Sequence, residues 1–339
     1  MLAGGFGTRL RPFTLTTPKS FLPVANRPLI YYQLFLFSMY GIDTAIFAVR
    51  QHYKGYTDIL QTAKKMGIKI YFSYEEKNLG TAGGIKNAYR FLKGEKDFFV
   101  LNGDILSDCN LGEMLKFHRE KSACATIATV KTTNPLSFGV IDVAADQRIN
   151  TFTEKPQQPV SHIINAGIYI FRPDIFDEIT DKQKEISLEK DIFPSLLKKE
   201  KQIYAFLHNG YWTDIGTIET YKKANFDVIK LGFYKTSFDL GLYQNINIQG
   251  NLIAGKNVIF GDRVEVKGNV IIGEGSYIGS NTVIEDSILF KNVIIGENCH
   301  IPNSIIGNSV IIESHCIVRN SAIADSSRLC QFSKLVDIL

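Results

Sequence analysis

Near the start of the chain, Leu2-Ala3-Gly4-Gly5-Phe6-Gly7-Thr8-Arg9-Leu10-Arg11-Pro12 sets three glycines within four positions ahead of a cation, and Pro18-Lys19 adds another. Glycine lets backbone amides approach an anion closely, with the N–H groups free to donate. Leu2 and Ala3 read as the end of a strand, so the loop opens at a strand's carboxyl end. Arg9 and Lys19 bring positive charge where a chain of phosphates would lie. No Gly-Lys-Ser/Thr follows, so this is not the P-loop pattern, and the dinucleotide GxGxxG spacing is absent too.

Two carboxylates stand at comparable places. Phe98-Phe99-Val100-Leu101-Asn102-Gly103-Asp104 is an apolar run that ends in a carboxylate. Asp104 can serve Mg²⁺, which takes one or two carboxylates together with phosphate oxygens and waters. It can equally cap the turn that follows. Trp212-Thr213-Asp214-Ile215-Gly216-Thr217 supplies the second carboxylate. Asp214 either completes a metal pair with Asp104 or, with Thr213, caps the helix expected over 218–229. A further constellation joins Phe152-Thr153-Glu154-Lys155-Pro156 to Asn165-Ala166-Gly167-Ile168-Tyr169. Glu154 can accept from sugar hydroxyls, and Lys155 can meet a phosphate as a point charge. Asn165 can give and take hydrogen bonds, and Gly167 allows close approach. A Glu-Lys pair is also an ordinary solvated turn.

These residues need a scaffold that presents strand ends. Residues 1–231 alternate apolar runs (Thr44–Val49, Ile68–Tyr74, Asp97–Leu101, Ala125–Val130) with helix-like stretches. The helices are expected over Pro28–Tyr40, with Asn26 as N-cap, and over Ala82–Leu92. The alternation predicts an α/β domain, a Rossmann-like, largely parallel or mixed sheet with helices on both faces, whose ligands bind beyond the strand carboxyl ends. From about residue 250 apolar residues return every six positions: Ala254, Phe260, Val266, Ile272, Ile278, Ile284 and Phe290, then Ile295, Ile301, Ile306, Ile312 and Val318 with two steps of five. A hexad is the repeat of a triangular parallel β-helix, and about 75 residues at 18 per coil give roughly four coils. The expected organisation is 1–231 catalytic, 232–250 connecting and 251–339 β-helix.

Composition narrows the field. A net charge of +4 over 339 residues gives no basic field for nucleic acid. No apolar run approaches the roughly 18–20 residues of a membrane span. Met1 is followed at once by the glycine-rich loop, so no secretory leader is expected. The five cysteines (Cys109, Cys124, Cys299, Cys316, Cys330) form no CxxC and no zinc spacing, which suits free thiols in a reducing cytoplasm.

Taken in order, these elements resemble the sugar-phosphate nucleotidyltransferases, and among them the guanylyltransferases that act on mannose 1-phosphate. The resemblance rests on the GGxGTRL loop (Gly4–Leu10) with Lys19, on Leu79-Gly80-Thr81-Ala82-Gly83, and on the NGD, EKP, NAGIY and WxDIGT segments. It covers nearly the whole chain, because many members carry a C-terminal left-handed β-helix. It implies that Leu2, Ala3, Gly4 and Gly5 face the base and ribose opposite Gly80 and Thr81. Gly7, Thr8 and Arg9 would surround the phosphates. Arg9, Lys19 and Asp104 would be catalytic, with Mg²⁺ held by Asp104 and Asp214. Gly139, Glu154, Lys155, Asn165 and Gly167 would line the sugar 1-phosphate site. The chain departs from the family in having only Met1 and Leu2 ahead of Ala3, where members run an apolar first strand, and a shortened strand leaves its neighbours' backbone groups unpaired. Ser20 and Asn78 also stand where prolines are common. The reaction implied is nucleotidyl transfer from a nucleoside triphosphate to a sugar 1-phosphate, with GTP and mannose 1-phosphate favoured. Thymidylyl or uridylyl transfer to glucose 1-phosphate is the nearest alternative. The β-helix leaves open an added acyltransferase activity, with His300 or His315 as its histidine. A non-catalytic regulatory subunit is a further alternative; such relatives commonly lose or interrupt the glycine-rich loop, which stands intact here with Arg9, Lys19 and both aspartates. Flat helix faces favour a homo-oligomer.

Overall fold

A computed structural model describes residues 1–50, 52–179, 185–232 and 246–338. Contacts divide the chain into two compact units, Met1–Gly5 with Ile30–Asp214, and Phe6–Leu29 with Ile215–Leu339.

In the first unit the long strand Ile163–Phe171 is the hub. It runs antiparallel to Phe98–Leu101, Ala125–Lys131 and Gly139–Val143, while Ile203–Leu207 joins parallel to Ala125–Lys131. The sheet is therefore mixed and not largely parallel, because the chain turns back on itself between 125 and 171. Thr44–Val49 and Lys69–Tyr74 pair in parallel. Leu2 makes parallel bridges to both Ala48 and Asn102. Its N–H donates to the Leu101 carbonyl at 2.8 Å, and its own carbonyl accepts from Gly103 at 2.9 Å. Beside it, a cavity of about 430 Å³ is lined by Ile46, Ile85, Phe98 and Val100. The core is aromatic and aliphatic, with Tyr169, Phe171 and Phe193 fully enclosed.

The apolar stretch after residue 28 folds as the helix Leu29–Met39. Asn26 is not its cap. With Ala25 it takes positive φ in the turn joining Pro23–Val24 to Arg27–Pro28, the geometry a two-residue hairpin demands. Pro28 accordingly ends a short strand and does not start the helix. The expected 82–92 helix forms as Gly80–Asn87 and Tyr89–Leu92.

In the second unit the hexads form a parallel β-helix. Ile259, Tyr277, Ile294, Ile311 and Arg328 stack in register, five strands deep, where the sequence suggests four coils. The strand Ile246–Ala254 already pairs along its whole length with Val264–Ile272, so the first coil begins inside the expected 232–250 connection. Most of that connection, 233–245, lies outside the described residues. One further detail differs. The inward row passes through Leu289, fully buried in the column, and not through Phe290. One side of each later coil takes five residues, so Phe290 faces outward against the rings of Phe13 and Tyr221 at 5.0 and 6.3 Å. His300 stands exposed on a coil strand, and His315 stacks on Phe332 at a corner.

Candidate active site

In the first unit, Asp104 and Asp214 are brought to one place by backbone register. Trp212–Asp214 pairs antiparallel with Ile105–Ser107, and Asp214 sits opposite Ile105, the residue after Asp104. The helix Ile218–Leu231 is capped by Thr217, whose side chain accepts from Thr220 N–H in a reciprocal box. Neither Thr213 nor Asp214 serves as that cap. Trp212 is fixed by donating its indole N–H to the Ala166 carbonyl at 2.8 Å. Among the described residues no group of three or more His, Cys, Asp and Glu comes together. One or two carboxylates are the protein contribution that Mg²⁺ ordinarily takes when it is shared with phosphate oxygens and waters.

Asn102 ties the same corner together. Its N–H donates to the Gly167 carbonyl at 2.9 Å, and its carbonyl accepts from Gln33 at 2.8 Å. Gly167 has φ +70°, and a Cβ there would meet Asn102 Nδ2 at 2.8 Å, so both space and backbone require glycine. Asn165 spends both ends of its side chain inside this strand: Nδ2 donates to the Tyr169 hydroxyl at 2.8 Å, and Oδ1 accepts from Gly167 N–H at 2.9 Å. This staples the register shift between Asn165 and Tyr169.

Gly139 pairs with Glu154, and Lys155 N–H donates to the Phe138 carbonyl at 3.0 Å. Lys155 has φ +47°, and its ammonium lies 3.6 Å from Glu154. Burial raises the Glu154 carboxyl above its ordinary value, helped by the nearby Glu189 and opposed by Lys155.

Gly80 and Thr81 start their helix against the segment 186–189. The Ile186 carbonyl accepts from Ala82 N–H at 2.9 Å, and a Cβ on Gly80 would fall 2.4 Å from it. Thr81 donates to Glu189 at 2.8 Å, and Glu189 also accepts from Tyr169 and Ser187. Glu189 thus links the Gly80–Thr81 turn to the Asn165–Tyr169 strand. Sequence reading missed it, and missed Glu75, which is buried against Gly4 and Gly84 with its carboxyl raised by burial. Each is a plain acid in a polar stretch, with no spacing that would single it out.

Gly7, Thr8, Arg9 and Lys19 belong to the second unit. Gly7 adopts φ +59°, its carbonyl accepts from Thr14 at 2.8 Å, and a Cβ on it would lie 3.2 Å from the Lys19 Cβ. The loop therefore packs against the base of Lys19. Thr8 and Arg9 are exposed on a single 3₁₀ turn, Thr8–Leu10, anchored by buried Leu10.

The nucleotidyl transferase family profile matches residues 1–230, and that of the EIF2B subunit epsilon LbH domain matches 234–337. The mannose-1-phosphate guanyltransferase of Saccharomyces cerevisiae is 40% identical over 220 residues, covering 64% of this chain and 60% of that protein. The chain thus spans less than two thirds of that relative's length. The mannose-1-phosphate guanylyltransferase of Mycobacterium tuberculosis is 31% identical over 300 residues, covering 86% of this chain and 79% of that protein. Among solved structures, HddC from Yersinia pseudotuberculosis aligns with a TM-score of 0.58 at 27% identity, covering 67% of this chain and 96% of that chain. Since the family profile runs through the loop, both aspartates and the Glu154–Tyr169 region, the chain belongs to the nucleotidyl transferase family.

Proposed function

We propose that the protein transfers a guanylyl group from GTP to mannose 1-phosphate, giving GDP-mannose and pyrophosphate. The observation that carries nucleotidyl transfer is the register that sets Asp214 beside Asp104 at a strand end. The choice of base and sugar is supported by the relatives, which carry the name of this reaction.

In this reading a phosphate oxygen of the sugar 1-phosphate attacks the α-phosphorus of GTP in line. The bond to the bridging oxygen breaks, and pyrophosphate leaves with that electron pair. The nucleophile is already an anion, so no covalent enzyme intermediate is needed, and positioning and electrostatics do the work. Asp104 and Asp214 would hold Mg²⁺, which neutralises charge building on the phosphates when bound. Gly7 and Thr8 present backbone amides, and Arg9 and Lys19 stabilise charge on the phosphates. Leu2, Ala3, Gly4 and Gly5 receive the base and ribose with Gly80 and Thr81. Gly139, Glu154, Lys155, Asn165 and Gly167 shape the sugar side, Asn165 by holding the strand and Glu154 by accepting hydroxyls. Self-association belongs to this reading. So does a reducing, cytoplasmic setting, supported by five free cysteines. No described helix is long and apolar enough to cross a membrane.

The test is pyrophosphate release with Mg²⁺, offering GTP, dTTP, UTP, CTP and ATP against mannose 1-phosphate and glucose 1-phosphate. Release with GTP and mannose 1-phosphate well above every other pair is expected. A different preferred pair would overturn the specificity, and no release with any pair from folded protein would overturn the activity.

A further inference from the structure

At one corner of the β-helix Asp286, Asn303, Asn320 and Asp337 follow one another at intervals of 17 residues, each with positive φ. Asn and Asp tolerate that backbone conformation. Asn303 Nδ2 donates to Asn320 Oδ1 at 2.7 Å, and Asn320 Nδ2 donates to Asp337 Oδ1 at 2.8 Å. The remaining end of Asn303, its Oδ1, accepts from the ammonium of Lys222. Lys222 stands on the helix Ile218–Leu231 of the same unit. Helix and corner enclose a cavity of about 470 Å³, with Lys222 in its wall beside Ile218, Phe226, Ile305, Asn320 and Ser321.

Lys222 differs from its neighbour Lys223, which pairs with Asp227 one turn on. Among the described residues no carboxylate comes within ion-pair distance of Lys222. Its ammonium instead lies 5.4 Å from the centre of the Phe226 ring. The charged groups in the cavity wall are Glu219, Lys223, Asp227 and Lys230 of its own helix and Asp286 of the corner. Burial disfavours the charged amine and outweighs the opposing Asp286, which brings Lys222 down to about 8. At pH 7.5 about a quarter of such an amine is neutral, against about one in a thousand for an ordinary lysine. A neutral lysine amine in a partly apolar pocket is a nucleophile.

The wall suits one class of modification. An amide nitrogen in place of the ammonium keeps one N–H for Asn303 Oδ1 and removes the charge that burial disfavours. The added carbons lie with Ile218, Phe226 and Ile305 in the wall. Carboxylation by carbon dioxide would instead set a new negative charge in a wall that already holds Asp227 and Asp286. Lys230, exposed on the same wall, offers a cation to an anionic leaving group. We propose that Lys222 is a site of covalent acylation, at which the amine takes the acyl group of a small acyl phosphate inside this cavity. The neutral nitrogen attacks the carbonyl carbon and forms a C–N bond. The bond from that carbon to the phosphate oxygen breaks, phosphate leaves with its electron pair, and the proton lost by nitrogen goes to phosphate or water. None of these residues belongs to the site described above, so the proposal is independent of nucleotidyl transfer.

Incubation of the full chain with acetyl phosphate, followed over time by peptide mass spectrometry, tests this. Lys222 is expected to be acetylated about tenfold or more faster than Lys223 and Lys230 at neutral pH. Its rate should level off above about pH 8 while theirs keeps rising. In strong denaturant the advantage should vanish, since it belongs to the folded cavity. Asp286→Asn, which keeps the acceptor for the Asn269 N–H, should move the levelling point to lower pH. Lys222→Gln places a neutral amide at the same position and should leave the melting temperature unchanged. A Lys222 rate no greater than those of Lys223 and Lys230 overturns the proposal, and so does an advantage that persists in denaturant. A large fall in melting temperature for Lys222→Gln would also overturn it, by showing that the fold needs the cation in place.

Discussion

At the scale of single residues, the proposed reaction would use the cation on Arg9 where charge builds on the phosphates. Its side chain is exposed on a 3₁₀ turn that is anchored elsewhere, by Leu10 in the core and by the Thr14 bond to Gly7. Little of the fold depends on the guanidinium. Arg9→Ala should therefore lower kcat by about 10²–10³, the usual loss for a main charge stabiliser, with an unchanged melting temperature. Steady-state pyrophosphate release beside a thermal melt measures both, and a full kcat in the variant would remove Arg9 from the role. Candidates of this kind were legible in the sequence because glycines, cations and strand-end carboxylates form patterns within a few positions. Glu189 was not. Its importance lies in accepting from Thr81, 108 positions away, and from Tyr169. No local spacing records such a partnership.

At the scale of elements, the sequence showed where helices and strands would form but not always what ends them. Patterning in the segment Thr213–Thr220 points to Thr213 or Asp214 as the cap of the helix that follows. The structure gives the cap to Thr217, because Trp212–Asp214 is held as a strand by Ile105–Ser107. Strand pairing thus sets Asp214 opposite Ile105, the residue after Asp104. Thr217→Ala removes an acceptor from the first turn of a helix that buries Tyr221, Ala224, Asn225 and Val228. It should cost about 1 kcal/mol of stability, within the usual 0.5–2, read from the midpoint of a urea titration. No measurable loss would mean that water or a neighbour replaces the cap. Asn26 failed as a sequence-read cap for a related reason. Asn serves caps and left-handed turns alike, and only the pairing of Pro23–Val24 with Arg27–Pro28 separates the two.

At the scale of the whole molecule, the hexad made the β-helix legible from its period alone, while the exact residue facing inward depended on where each coil shortens. That is why Leu289 and not Phe290 joins the column. The same column sets how stability is distributed. Each inward residue touches its copies in the coils above and below, so a repeat protein is stabilised by nearest-neighbour contacts. Ile295 is 0% exposed, and its strand is paired on both sides, to Tyr277–Ile278 and to Ile311–Ile312. Leu335 is only partly buried, and its strand pairs with Ile317–Arg319 at the end of the sheet. Truncating Ile295 to alanine opens a cavity enclosed by rungs on two sides and should cost about 2–5 kcal/mol. Truncating Leu335 should cost clearly less, because its side chain is only partly buried and less apolar surface is lost from the column. Urea midpoints of Ile295→Ala and Leu335→Ala make the comparison, and hydrogen exchange should show the Leu335 coil opening first in the parent protein. Equal losses would mean that the column unfolds as one block with no weaker end, contrary to the nearest-neighbour account.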